Sequence, residues 1–401
     1  MTDSSEVAVS GYCDDRFAEV KAEFERNFVE RGEVGASVSL MLDGKPLVDL
    51  WAGTTDRDGS PWAEDTMTVV FSCTKGATAL SAHLLVERGQ LDLDALVADY
   101  WPEFAANGKE NATVRMMLNH SVGVPAFRER LPDGAYADWD MMVERLEAEE
   151  PWWEPGTRNG YHMMSFGWTV GELVRRVSGR SLGTYFAEEI AGPLGAEFHI
   201  GVPEEHESKV VSVIPAKPDR DSLTEFAKVV VEQPESLQRA ALMNSGGFNP
   251  NDPMYRRAEI GGGGGVSNAR GLATMYNPLS TGGGELFSPS AIARMGEVSV
   301  ATGCDATLLV PSKFGLGFMK SMDNRRRVQG DRDSVILSSA AFGHVGAGGS
   351  IGFADPARGL SFGYAMTKMG PGILLNERGQ SLVDAAYRAL GCTSNESGVW
   401  I

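Results

Sequence analysis

Cysteine is scarce in this 401-residue chain: Cys13, Cys73, Cys304 and Cys392 lie far apart and form no C-x-x-C pair. They read as reduced thiols and not as a disulfide framework. Histidine is scarce as well. His83, His120, His162, His199, His206 and His344 show no H-x-x-x-H or H-x-H spacing, so no bound metal is expected. Positive charge is outnumbered, with 36 Lys+Arg against 54 Asp+Glu, and the net charge of -18 repels phosphate backbones and anionic headgroups. Neither a nucleic-acid nor a membrane partner is expected. No apolar run reaches the roughly 18 residues of a membrane span. The opening "MTDSSEVAVSGYCDDRFAEV" has no basic or apolar region of a secretory signal, which points to a cytoplasmic protein. No internal repeat of 20 to 50 residues is apparent, and neither glycine-rich stretch, "GGGGGVSNARG" or "GHVGAGGSIG", matches a nucleotide-binding loop, so no cofactor is expected.

What is present is the composition of a soluble globular protein, 42% hydrophobic and 22% charged, with length for one large domain or two intertwined ones. "DDRFAEVKAEFERNFVERG" spaces Phe17, Val20, Phe24 and Phe28 as a surface helix. "GASVSLMLDGKPLVDLWAG" alternates around Asp43-Gly44 as a hairpin. "AFGHVGAGGSIGFADPARGLSFGYAMTKMG" reads as two strands joined at "DPARG", followed by the helix "NERGQSLVDAAYRALGC". The stretch between is mostly helical or irregular. These patterns predict an α+β protein: an antiparallel sheet from both chain ends (1-100 and 310-401) flanked by helices, plus a mostly helical domain at 101-309. The bland reading of the five-glycine run is close backbone packing and turns with positive φ.

Chemistry concentrates in three places. Ser72 and Lys75 in "SCTK" stand one helical turn apart, within reach for an amine that must accept a serine proton. Spacing alone is uninformative, because 32 serines and 10 lysines give about 0.8 such pairs by chance. Context raises it: the pair follows the strand-like "MTVVF" and opens a helix carrying Leu80, Leu84 and Leu85. Tyr161 follows the turn Pro155-Gly156 in "EPGTRNGYHMMSFGW" and precedes a helix. His344-Val345-Gly346 is expected on an inner strand whose glycines let a substrate lie against the backbone.

Taken together, "SCTK", "PGT...GYH...GW..GE..RRVSG", "IAGPLG" and "FGHVGAGGSIGFADP" resemble the serine β-lactamase-related superfamily, in particular the class C β-lactamase-like (family VIII) carboxylesterases, from about residue 17 to 390. The resemblance implies the same sheet domain with a helical insertion. It implies Ser72 as the acylated nucleophile, Lys75 as its proton acceptor, Tyr161 as the shuttle to the leaving alcohol, and the backbone N–H groups of Ser72 and Ala347 as the oxyanion hole. The lactamase and peptidase members carry Asn where this chain has Met163, and Lys-Thr-Gly where it has His344-Val345-Gly346. Both polar anchors for a β-lactam or D-Ala peptide are therefore gone. Trp152, Trp153, Met163, Met164 and Phe127 are candidates for an apolar acyl or alcohol pocket, with His344 and Gly346 beside the substrate.

The expectation is a serine hydrolase for carboxylic esters of small to medium acyl chains, taking a small-molecule substrate and possible as a homo-oligomer. The alternatives are β-lactamase or D-Ala peptidase activity, an acyltransferase, and a non-catalytic binding member of the same superfamily. A rival nucleophile, Ser350 in the formal G-x-S-x-G "GGSIG", lacks the helix that should follow it and any histidine downstream.

Overall fold

The computed structural model describes residues 7–55, 59–216, 223–394 and 398–401. Strand β1 (Val9–Cys13) leads into helix α1 (Ala18–Glu30), which buries Val20, Phe24 and Asn27 along one face, with Phe17 at its start. Strands β2 (Gly35–Leu42) and β3 (Lys45–Gly53) follow, joined by Asp43-Gly44. Both turn residues have positive φ, 48° and 77°, as a two-residue type I′ hairpin requires.

The C-terminal part supplies β9 (Phe342–Val345), β10 (Ile351–Asp355) and β11 (Leu360–Met366). The six strands form one antiparallel sheet in the order β1-β3-β2-β11-β10-β9, with Val38 opposite Tyr364 and Leu40 opposite Phe362 where the two chain ends meet. The sequence reading expected two strands in this stretch, with His344 on an inner one. There are three, and His344 lies on the edge strand, because the chain doubles back at Gly346–Gly349 through the bonds Gly346 N–H to Ser350 O (2.8 Å) and Gly349 N–H to Gly346 O (3.0 Å). The edge is protected by Met319, which exchanges both backbone bonds with Gly343, at 2.7 and 3.1 Å.

Between the two halves run α2 (Thr74–Glu87), α3 (Val114–Leu118), α4 (Trp139–Ala148), α5 (Phe166–Ser178), α6 (Leu182–Phe186), α7 (Gly192–Leu194), α8 (Glu225–Glu232), α9 (Leu237–Met243), α10 (Pro253–Arg257), α11 (Ala269–Ser280) and α12 (Pro289–Gly296). A three-stranded sheet pairs β6 (Val266–Ser267) with β4 (Thr68–Val69) on one side and β5 (Phe198–His199) on the other; β7 (Val300–Thr302) pairs with β8 (Ser312–Phe314). Helix α13 (Glu377–Ala389) closes the chain beside α1. The class is α+β, as expected.

Helices α1 and α13 share a core with the large sheet, around Phe17, Phe24, Phe353, Phe362 and Leu382. Helix α11 lies on the sheet so closely that a Cβ at Gly363 would stand 2.1 Å from Ala269 O, and one at Gly352 2.8 Å from the Tyr276 ring. These strand glycines therefore admit a helix. The second core surrounds α2, buried on every side from Thr74 to Leu85. A buried ion pair locks the chain ends together: Arg378 Nη1 reaches Glu33 Oε1 at 2.7 Å, and Glu33 also accepts from the Tyr364 hydroxyl and the Val34 N–H.

Candidate active site

Strand β4 carries the chain to Val70, whose N–H donates to Gly265 O at 2.9 Å. The next residue, Phe71, takes φ of 47°, a left-handed conformation that a side chain of this size adopts at a cost of about 1–3 kcal/mol. Thr74 holds it there: its hydroxyl donates to Phe71 O at 2.5 Å and accepts from Gly265 N–H at 2.8 Å. The turn delivers Ser72 to the entrance of α2.

Lys75 stands one turn further, fully buried, with Nζ 3.1 Å from Ser72 Oγ, 2.5 Å from Met163 O and 2.6 Å from Gly262 O. No carboxylate pairs with it among the described residues. Burial pushes its pKa well below that of a free lysine. The two carbonyls pull the other way, since they also solvate an ammonium, but as neutral dipoles they replace only part of the lost hydration. Carbonyls accept only, so a neutral amine gives them its two hydrogens and leaves its lone pair facing Ser72. Met163, where the sequence reading saw a lost amide anchor, meets the lysine through its backbone instead.

Tyr161 projects from an irregular stretch ahead of α5. Its ring stacks on Phe314 (centroids 5.8 Å apart, planes within 8°), its face lies 4.8 Å from Lys75 Nζ, and its N–H donates to Asp305 Oδ1 at 2.9 Å. His344 Nδ1 lies 2.7 Å from Val345 O and must carry the hydrogen, which leaves Nε2 to accept from the Tyr161 hydroxyl at 3.4 Å. Burial, reinforced by Lys75, lowers His344 to about 3, so the ring is neutral at pH 7. Burial raises the Tyr161 phenol above its ordinary range, partly offset by a hydrogen bond with Ser72.

Ser72, Lys75, Tyr161 and His344 thus converge. Gly346 is packed beneath them, where a Cβ would stand 2.2 Å from both Val70 O and Ser350 Oγ, which places exposed Ala347 next to the Ser72 turn. Neither the Ser72 nor the Ala347 N–H donates to a protein acceptor among the described residues. Two expected pocket residues have other surroundings. Phe127 lines a separate cavity of about 270 Å³ with Arg128, Leu131 and Arg145, and Trp152 lies under the Arg128 guanidinium, its Nε1 bonded to Ala126 O at 2.9 Å. Met164 packs its backbone and sulfur against Gly262 and Gly263, and Trp153 fills the space above Gly160. Ser350 is buried with its hydroxyl on Val70 O and leads into β10, the wrong setting for a nucleophile. His162 is structural, bonded to Gly160 O and Val124 N–H.

Sequence reasoning missed Thr74, Asp305, Phe314 and the Gly262 carbonyl. Only the last had a visible signal. The five-glycine run packs closely, as expected, but none of the five has positive φ: a Cβ at Gly262 would lie 2.3 Å from Met164 O, and one at Gly265 2.5 Å from Thr74 Oγ1. Among the described residues no His, Cys, Asp and Glu side chains gather as a metal site, and no helix is long and apolar enough to cross a membrane.

Comparison with known proteins finds relatives along most of the chain. The chain is 34% identical over 391 residues to "Esterase/beta-lactamase LipL" of Mycobacterium tuberculosis, covering 90% of this chain and 83% of that protein. It superimposes with a TM-score of 0.83 on a crystal structure of a family VIII carboxylesterase, at 36% identity over 95% of this chain and 100% of the other. A penicillin-binding protein homolog from Caulobacter crescentus matches at 34% identity and a TM-score of 0.83, with the same coverage. The beta-lactamase family profile matches residues 22–386, and with Ser72, Lys75, Tyr161 and His344 all inside that span, the chain belongs to the beta-lactamase family.

Proposed function

We propose that the protein is a serine carboxylesterase that hydrolyses esters of small to medium acyl chains through an acyl-enzyme at Ser72. The observation that carries this is the Lys75 amine, fully buried, its pKa pushed well below that of a free lysine by burial, with Nζ 3.1 Å from Ser72 Oγ. A solved structure named as a family VIII carboxylesterase, at 36% identity, and a relative named as an esterase, at 31%, support the ester reading.

In the first half-reaction Ser72 Oγ gives its proton to Lys75 and attacks the ester carbonyl carbon. The oxyanion faces the Ser72 and Ala347 N–H groups, each such donor worth about 3 kcal/mol. Collapse breaks the bond to the alcohol oxygen, which takes a proton delivered from Lys75 by way of Tyr161. In the second half-reaction water gives a proton to the same base and attacks the acyl-enzyme, releasing the acid and restoring Ser72. Net, one ester and one water give one acid and one alcohol. His344 is neutral, so no cation there holds a substrate carboxylate, and uncharged esters fit better than β-lactams or D-Ala peptides. The same reading keeps the protein in the cytoplasm without a cofactor, with residues 1-100 and 310-401 as the sheet domain around the helical 101-309.

The test is reaction with an alkyl fluorophosphonate followed by peptide mapping, alongside hydrolysis of 4-nitrophenyl esters and a cephalosporin. The expected result is label on the Ser72 peptide, no turnover in Ser72→Ala, and esters preferred. Label on Ser350, or full activity in Ser72→Ala, refutes the mechanism; cephalosporin turnover above that of short esters refutes the substrate class.

A further inference from the structure

Tyr161 has no regular secondary structure to hold it. Its backbone hangs instead on one buried carboxylate 144 residues away. Asp305 Oδ1 accepts the N–H groups of Tyr161, Thr307 and Leu308, each at 2.9 Å, and Oδ2 accepts the Ser312 hydroxyl at 2.9 Å. No arginine or lysine pairs with this carboxylate among the described residues, although it is fully buried, so its placement relies on those four donors alone. The turn it organises is braced twice more. Asn159, two residues before Tyr161, accepts the Ala306 N–H on its carbonyl at 3.0 Å. From the far side Gln238 of α9, itself buried, donates through Nε2 to Ala306 O at 2.7 Å and Thr307 O at 3.1 Å.

The phenol end of Tyr161 meets Ser72 through a hydrogen bond that the reaction must break, and His344 at 3.4 Å, a long contact that cannot by itself fix the ring. The precision comes from the backbone end and from the Phe314 stack, and Phe314 is on β8, the strand that also carries Ser312. A carboxylate, a glutamine and one face of a strand therefore converge on a single tyrosine.

Resting on the proposed reaction, we propose that Asp305 is a positioning residue for Tyr161, acting through the Tyr161 N–H, and that Gln238 braces the same turn from α9. A displacement of about 1 Å in a proton-transferring group lowers turnover by up to about 100-fold without weakening substrate binding.

The experiment is a double-mutant cycle on the full-length enzyme. kcat and KM for 4-nitrophenyl acetate are measured for Asp305→Ala, Asp305→Asn and Gln238→Ala, each in the native and the Tyr161→Phe background, with melting curves to confirm folding. Asp305→Ala should lower kcat by about 10- to 100-fold with KM changed by no more than about twofold, and should have no further effect once Tyr161 has lost its hydroxyl. Asp305→Asn, which keeps an Oδ1 acceptor, should recover most of the loss. A loss of equal size in both backgrounds would mean that Asp305 supports the fold and not the tyrosine, and overturns the proposal alone. If Asp305→Ala does not fold, Gln238→Ala carries the same cycle with a smaller loss, and additivity overturns the brace. Full activity in Tyr161→Phe overturns the role of Tyr161 itself and the proposal with it.

Discussion

A lysine with no carboxylate beside it works as a base only if it sheds its proton easily, and Lys75 meets that condition through burial. Its folded pKa lies below the free value, so the sign is fixed: activity rises as pH climbs through the folded pKa of Lys75 and falls as pH drops below it. The acid limb of kcat/KM should therefore lie well below the alkaline range of a free lysine, and a limb near that range would refute the neutral-base reading. Lys75→Met keeps the unbranched chain and its length but has no amine to take the serine proton. It should lower kcat by about 10²–10⁴-fold while the protein still folds, as read by steady-state kinetics against a melting curve.

Helix α2 and the five-glycine run act as one element. The glycines bring backbone so near the helix that Gly262 O becomes an acceptor for Lys75, and any side chain there meets backbone. Gly262→Ala should destabilise the fold by about 1–3 kcal/mol and lower kcat by more than its effect on KM, since it pushes against Met163-Met164, the other side of the lysine cage. A stable, fully active Gly262→Ala would show that the cage is not required. The same element shows what a sequence can and cannot reveal. Ser72 and Lys75 were legible because their relation is local, three residues along a helix. The hairpin at Asp43-Gly44 and α1 were legible through turn chemistry and period. The split of the C-terminal strands was not, because β9 and β10 are separated only by the short, glycine-rich connection Gly346–Ser350, and glycine reads alike in a packed strand and a turn. The surroundings of Trp152 and Phe127 were not legible because apolar character reports burial but not which cavity a ring faces, and Asp305 left no local trace at all.

At the scale of the molecule, four histidines are buried in neutral form. Burial lowers His83 to about 4, His162 and His344 to about 3, and His120 well below its usual value. The unfolded chain binds their protons first, so stability falls as pH drops through 6.5 and continues to fall towards about 4, by at most roughly 1.4 kcal/mol per pH unit for each histidine. Burial raises the carboxylates of Glu33, Asp49, Glu149, Asp305, Asp333 and Asp384, which act in the opposite sense, but from a carboxylate reference of about 4, so most of their effect falls below the window in which the unfolded histidines titrate. The melting temperature should drop between pH 7 and pH 5 in 0.15 M salt; a flat profile would contradict the burial of these rings. The Glu33–Arg378 pair is a second test at this scale, because Arg378→Leu leaves a buried carboxylate without its partner and should destabilise by about 3–5 kcal/mol in denaturant unfolding.

The order of the large sheet has a consequence for how the protein is made. Strand β2 ends at Leu42, yet its partner β11, made much later in translation, begins only at Leu360. For most of translation the apolar residues Val38 and Leu40 sit on a strand whose inner edge has nothing to pair with, and β1, β2 and β3 wait as half a sheet. Such late closure of distant segments is slow and leaves sticky edges exposed. Nascent chains stalled before β11 should therefore associate with chaperones or with one another, and yield during expression should depend more on temperature and chaperone supply than the stability of the finished enzyme suggests.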